Sequence, residues 1–131
     1  MNTFFDDVKA FHEKFGIPNG DVAAPLEPGV SEFRVGFMRE ELREYLEAVR
    51  DKNLHEQFDA LVDLTYVVLG TAAMHGFDFN EGWRRVHEAN MKKVRVESAD
   101  DSKRGHRFDV KKPEGWQAPS LFDLLPEEQR P

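Results

Sequence analysis

The feature that most narrows what this chain can fold into is one acid. Asp63 sits inside the nearly unbroken apolar run A-L-V-D-L-T-Y-V-V-L of residues 60–69. An ionised carboxylate buried alone in such a run costs several kcal/mol, so Asp63 is paired, protonated or bound to a metal. Around it, Leu54, Phe58, Leu61, Val62, Leu64, Val67, Val68, Leu69, Ala72 and Ala73 cover almost a full helical wheel, the pattern of a central helix. Asn53 with Glu56 three residues on resembles a capping pair, and Gly76 supplies the stop. The helix is therefore expected over 54–75. On its wheel Asp59, Asp63, Tyr66 and Gly70 form a narrow polar-to-small stripe. A neighbouring Arg or Lys could pair the two acids, but two acids on one stripe already repel each other.

The preceding segment repeats the anomaly. Ser31 is read as the cap of a helix running to about Asp51, in which Phe33, Phe37, Glu40, Glu44 and Ala48 share one side at about 100° per residue. Met38, Leu42, Tyr45 and Val49 share another, and Glu41 borders the Glu40–Glu44 face. A solvated acidic edge is the bland account of these glutamates. Facing Asp59 and Asp63, they would instead bring five carboxylates together. Oxygen ligands without His or Cys select hard cations, Mg²⁺ first and Mn²⁺ second. Mg²⁺ on a few carboxylates completes its shell with water and phosphate oxygens, which points to a nucleotide polyphosphate. A carboxylate left free of metal could deprotonate the attacking water.

The remaining chain fits around these helices. Residues 3–15 read as a helix capped by Thr3 and stopped by Gly16, with Val8, Phe11 and Phe15 as its core stripe. Residues 16–30 carry three prolines and three glycines and read as loop. A fourth helix is expected from 79 to about 93, with Asp78 and Glu81 as its capping pair. Trp83, Val86, His87 and Asn90 recur along it, and His87 reads as a packed or surface histidine. From residue 94 the chain is polar and irregular, with no clear strand pattern and a short helical turn over Leu121–Leu125. The length of 131 residues suits one domain.

Composition removes several function classes. There is no cysteine, hence no disulfide frame and no thiolate site. The net charge of −7 argues against nucleic acid as a partner, although Arg84 to Lys112 form a basic third. No apolar run reaches the roughly 18–20 residues that cross a bilayer. With no signal-peptide pattern either, a cytoplasmic protein is expected. Neither a phosphate-binding Gly-x-x-x-x-Gly-Lys loop nor Gly-x-Gly-x-x-Gly is present. The serines lie in caps and loops without the context of a nucleophile.

Four blocks in order, E-E-L-R-E, D-A-L-V-D-L-T-Y-V-V-L-G, V-H-E-A-N-M-K-K and K-P-E-G-W-Q-A-P, resemble the MazG-like all-α nucleotide pyrophosphohydrolases. That superfamily includes phosphoribosyl-ATP pyrophosphohydrolases and dimeric-dUTPase-like enzymes. The resemblance spans about residues 4–120 of a single domain, 1–131. It implies a four- to five-helix bundle with an irregular basic C-terminal segment. It also implies Mg²⁺-dependent cleavage of a (deoxy)nucleoside triphosphate between the α and β phosphates, giving monophosphate and pyrophosphate. Within its Glu-x-x-Glu and Glu-x-x-Asp metal motif, Glu41 and Glu44 match the first half and Asp63 the final acid. Position 60, where Glu is expected, is Ala60, and Asp59 is the substitute one residue earlier. Glu40 matches the acid that serves as base. Asn90, Lys93 and Lys112 match phosphate-holding positions, and Phe11, His12 and Phe15 fall where the base pocket is drawn. Family members are homodimers or homotetramers. Phosphoribosyl-ATP hydrolysis ranks second, because the K-P-E-G-W-Q-A-P tail looks more like the nucleotide-pool enzymes. A catalytically silent helical module ranks third, favoured only by Ala60.

Overall fold

A computed structural model describes residues 2–131. Four helices, α1 (Phe4–Phe15), α2 (Pro28–Arg50), α3 (Leu54–His75) and α4 (Phe79–Asn90), account for most of the secondary structure. The all-α class expected from the sequence is what the chain adopts. The described residues group into two compact units, one of residues 2–79 and 124–131 and one of residues 80–123.

In the first unit, α1 begins with a reciprocal cap. The Asp6 amide donates to the Thr3 hydroxyl at 3.1 Å, and the Thr3 amide donates to the Asp6 carboxylate at 2.9 Å. Gly16 ends the helix in the left-handed region at φ 69°. The buried stripe of α1 is Phe5, Val8 and His12. Phe11 and Phe15, expected in the core with Val8, are substantially exposed. The stripe is centred on the other side of Val8, where Phe5 packs with Leu69, Ala72 and Ala73 of α3 and stacks on Phe79 at 5.6 Å.

Helix α2 starts at Pro28 rather than at a Ser31 cap. Proline has no amide to leave unsatisfied in a first turn and its φ is already helical. Ser31 lies inside the helix and donates back to the Pro28 carbonyl. The buried residues of α2 are Arg34, Glu41 and Ala48, spaced by seven. The inward face thus lies one residue on from the expected Phe33–Phe37–Glu40–Glu44 side, and Phe33 is 61% exposed. Asn53 caps α3 by accepting from the Glu56 amide. α3 runs antiparallel to α2: Gln57 near its start donates to Ala48, and Val67 and Thr71 near its end accept from Arg34. α3 packs on both α1 and α2, as a central helix should, yet Leu54 and Phe58 remain exposed.

The loop after α1 is stitched to the end of α3 by Gly20 N–H to Ala73 and Ala24 N–H to His75. A Cβ on Gly20 would stand 2.7 Å from the Gly76 nitrogen, so only glycine permits that approach.

The second unit contains most of α4, which stops at Asn90 rather than near residue 93. A strand pair follows where the sequence showed none. β1 (Val94–Arg95) pairs antiparallel with β2 (Val110–Lys111), Val94 opposite Lys111 and Arg95 opposite Val110. Strands of two residues are too short to leave an alternating signature. A 3₁₀ turn at Phe122–Leu124 takes the place of the expected last helical turn.

Candidate active site

The acids meet at the seam between α2 and α3. Glu41 is 8% exposed, and its Oε2 is buried without a hydrogen-bond partner. Burial pushes its carboxyl up to about 7. A hydrogen bond shared with the Glu44 carboxyl and the charges of Glu44, Asp63 and Glu40 push the same way. Across the seam Asp63 is half-buried and also raised, first by burial, then by the charges of Asp59 and Glu44. Every perturbing group at Glu41 and Asp63 is another acid. Of the three outcomes open to Asp63 in the sequence, pairing with a base is therefore not the one this fold provides.

The five expected acids are not equivalent. Glu41 lies within the electrostatic reach of Glu44, Asp63 and Glu40, of which Glu44 and Glu40 are exposed. Asp59 is exposed and acts on Asp63, one turn away. Ala60, at the position where glutamate is expected, is 3% exposed. Among the described residues, no three or more Asp, Glu or His side chains are placed so as to hold a metal ion by themselves. The set is instead a chain of carboxylates around one orphaned oxygen. That fits a hard cation which takes only a few protein oxygens and fills its remaining positions with water and phosphate.

Beside the acids lies an aromatic ledge. Phe11 packs on Phe15 at 4.8 Å and meets Tyr66 edge-on at 5.4 Å. Tyr66 is three residues from Asp63, so α3 carries the ledge one turn from the acids. His12 lies beneath, 2% exposed. The Asn19 amide is oriented by its NH₂ donating to the Lys9 carbonyl, so its oxygen accepts from His12 Nδ1 at 2.8 Å. Burial and the Arg34 charge lower the His12 pKa against that bond. The resulting neutral ring presents an unprotonated Nε2 towards Gly70, where a Cβ would stand 3.1 Å from it.

Sequence reasoning missed Arg34. It is 6% exposed and donates to Thr71 Oγ1 at 3.0 Å and to the Val67 carbonyl at 2.9 Å. Both acceptors are neutral, and burial alone depresses the guanidinium. A single Arg beside two Phe gave no periodic signal; the signal available was Gly70, which leaves room for the guanidinium.

Asn90, Lys93 and Lys112 belong to the second unit. Asn90 is the last residue of α4 and exposed. Lys93 and Lys112 each hold their ammonium over the Trp116 ring, at 5.2 and 5.1 Å. The indole N–H is anchored on the Ala89 carbonyl at 2.7 Å.

No single helix among the described residues is long and apolar enough to cross a membrane. No curated protein matches the chain. The phosphoribosyl-ATP pyrophosphohydrolase family matches residues 8–90, which include α2, α3, every seam acid and the Phe11–Phe15 ledge. A match over well more than half of 131 residues, on a helical hairpin whose seam gathers carboxylates, settles the assignment: the chain belongs to the phosphoribosyl-ATP pyrophosphohydrolase family of the MazG-like superfamily, and its activity is that of a pyrophosphohydrolase.

Proposed function

We propose that the protein hydrolyses a (deoxy)nucleoside triphosphate between the α and β phosphates, releasing monophosphate and pyrophosphate, with Mg²⁺ as cofactor and Mn²⁺ as its substitute. The observation that carries this is the orphaned Oε2 of Glu41, buried among Glu44, Asp63 and Glu40. Removing water from a carboxylate and surrounding it with like charge has no structural benefit. It produces a strong site for a cation. Glu41, Glu44 and Asp63 would hold the metal, with Asp59 supporting Asp63. Bound there, Mg²⁺ would supply positive charge to the phosphate oxygens as they become more negative.

The remaining roles fall to the chain's own groups. Glu40, exposed beside the cluster, takes the proton of the attacking water. Phe11, Phe15 and Tyr66 offer ring surface to a planar base. His12 fixes the α1 face of that ledge from below. Asn90, Lys93 and Lys112 take phosphate oxygens. The substrate is a free nucleotide in the cytoplasm rather than a nucleic acid.

We assign the working form to a homodimer or homotetramer. Leu42, Leu46 and Val49 recur along one side of α2, and Leu54, Phe58 and Leu61 lie on α3, all substantially exposed. Apolar surface of that kind is rare on a lone subunit. Light scattering on the purified chain measures the state, and a monomer at micromolar concentration contradicts it.

The family match itself favours a second substrate, phosphoribosyl-ATP. A panel of NTPs, dNTPs and phosphoribosyl-ATP with Mg²⁺, read by pyrophosphate release, separates the two. Turnover of phosphoribosyl-ATP alone overturns the first reading. Turnover of none overturns both.

A further inference from the structure

The strand pair of the second unit sorts its charges by face. On one side Lys111 is paired with Asp101 at 2.6 Å and Asp109 with Arg104 at 2.6 Å, while Val96 is buried. Asp109 accepts further from Ser102 and from its neighbour's amide, which pulls its carboxyl below the usual carboxylate range. On the other side the cations make no ion pair among the described residues. Arg95 and Arg107 place their guanidiniums 5.5 and 4.7 Å from the Phe108 ring, and Phe108 is 69% exposed. Continuing the register by one step sets Lys93 opposite Lys112, the two lysines that flank Trp116. Among the described residues, none of Lys93, Arg95, Arg107 and Lys112 has a carboxylate within ion-pair distance.

Acids were available for that face. The chain has 25 of them against 18 Lys and Arg, and the same unit pairs Arg84, Arg85, Arg104 and Lys111. Four bare cations on two rings therefore mark a face that keeps its charge for something else. Guanidinium forks match phosphate oxygens bidentately. Their planes and an exposed phenyl ring accept a stacked base. Arg95 is also held in place, since its Nε donates to the Arg107 carbonyl at 3.1 Å. A pre-set guanidinium loses less freedom on binding than a mobile lysine.

We propose that the Arg95–Phe108–Arg107 face binds a nucleoside polyphosphate, with the two guanidiniums on its phosphates and the ring cluster against its base. This rests on the reading of the protein as a nucleotide enzyme, and it makes Arg95, Arg107 and Phe108 a nucleotide-binding set of the second unit in its own right.

The test is calorimetric titration of a non-hydrolysable nucleoside triphosphate analogue into the full chain, with EDTA and then with Mg²⁺. Wild type is compared with R95Q/R107Q, F108A and K103Q. Loss of two charge-assisted contacts should weaken binding in EDTA at least about tenfold in R95Q/R107Q, with a smaller loss in F108A. K103Q removes a lysine of the same unit that makes no ion pair and lies over neither the Phe108 nor the Trp116 ring, and should bind like wild type. Unchanged affinity in R95Q/R107Q overturns the proposal. So does an equal loss in K103Q, which would make the effect one of net charge. A loss confined to a single-stranded oligonucleotide, with the mononucleotide unaffected, overturns it in favour of a nucleic-acid strip. Pyrophosphate release by the same preparations decides the enzymatic reading separately: wild type that binds the analogue through this face but hydrolyses no nucleotide sinks that reading and leaves this one standing.

Discussion

The Arg34 guanidinium reaches across the α2–α3 seam and donates to the Val67 carbonyl at 2.9 Å, close over the bare Cα of Gly70. Arg34 lies seven residues before Glu41 on one buried stripe, about 10 Å along the axis. A cation and an acid thus share a seam without neutralising each other. Arg34 holds the far end of the helix pair through neutral acceptors, and the acid cluster stays free of basic partners.

That contact predicts the effect of Gly70→Ala. The added Cβ would stand 2.7 Å from Arg34 Nη2 and 3.1 Å from His12 Nε2, two groups fixed by hydrogen bonds. Alanine in a helix gains about 0.5–1 kcal/mol over glycine, but overpacking costs about 1–3 kcal/mol. The expected net outcome is a lower melting temperature, measured by thermal unfolding.

Asp63→Asn and Glu41→Gln should each reduce turnover by at least about a hundredfold, as loss of an essential ligand or electrostatic group does. Each should leave the metal-free fold intact or more stable, because each removes like-charge repulsion. Pyrophosphate release and melting in EDTA measure the two effects independently.

The pH dependence has a definite sign. Glu41 titrates near 7 in the folded chain and near 4.5 when unfolded. Between those values the folded chain binds more protons, so stability falls as pH rises from about 4.5 to about 7 and this contribution then levels off. Raised Asp63 adds in the same direction. Melting in EDTA at a series of pH values should show this decline. With Mg²⁺ the trend should weaken or reverse, since the metal takes the deprotonated carboxylate.

Position 60 gives a further test. Ala60→Glu would bury another acid one turn from Asp63, so stability in EDTA should drop. Asp59→Ala removes an exposed acid, so stability should hold or rise. The Mn²⁺ concentration for half-maximal rate should nevertheless increase if Asp59 supports Asp63 in holding the metal. An unchanged Mn²⁺ dependence would remove Asp59 from the site.

The helices were legible because their ends carry explicit signals: Thr3 with Asp6, Asn53 with Glu56, and left-handed Gly16 and Gly76. Asp63 was legible because an acid in an apolar run needs a reason. The inward side of α2 was not, since a wheel ranks residues by polarity and the actual stripe is Arg34, Glu41 and Ala48. Two of those three are charged, which no hydrophobic pattern selects. The exposure of Phe11 and Phe15 was hidden for the converse reason: apolar residues at helical spacing look the same in a core and on a ledge. In the second unit, a two-residue ladder and two ring–cation clusters are made by contacts between residues far apart in sequence, such as Arg95 with Phe108 and Lys93 with Lys112 around Trp116.

The central claim is that the Glu41–Glu44–Asp63 seam is a divalent-cation site. Calorimetric titration of Mn²⁺ into wild type, Glu41→Gln and Asp63→Asn tests it most directly. Wild type should bind with saturable stoichiometry and gain thermal stability, about 2.7 kcal/mol when free metal is 100 times its dissociation constant. Both variants should lose that binding and that gain while remaining folded. Equal Mn²⁺ binding by all three proteins, or no stabilisation of wild type at any Mn²⁺ concentration, would contradict the account.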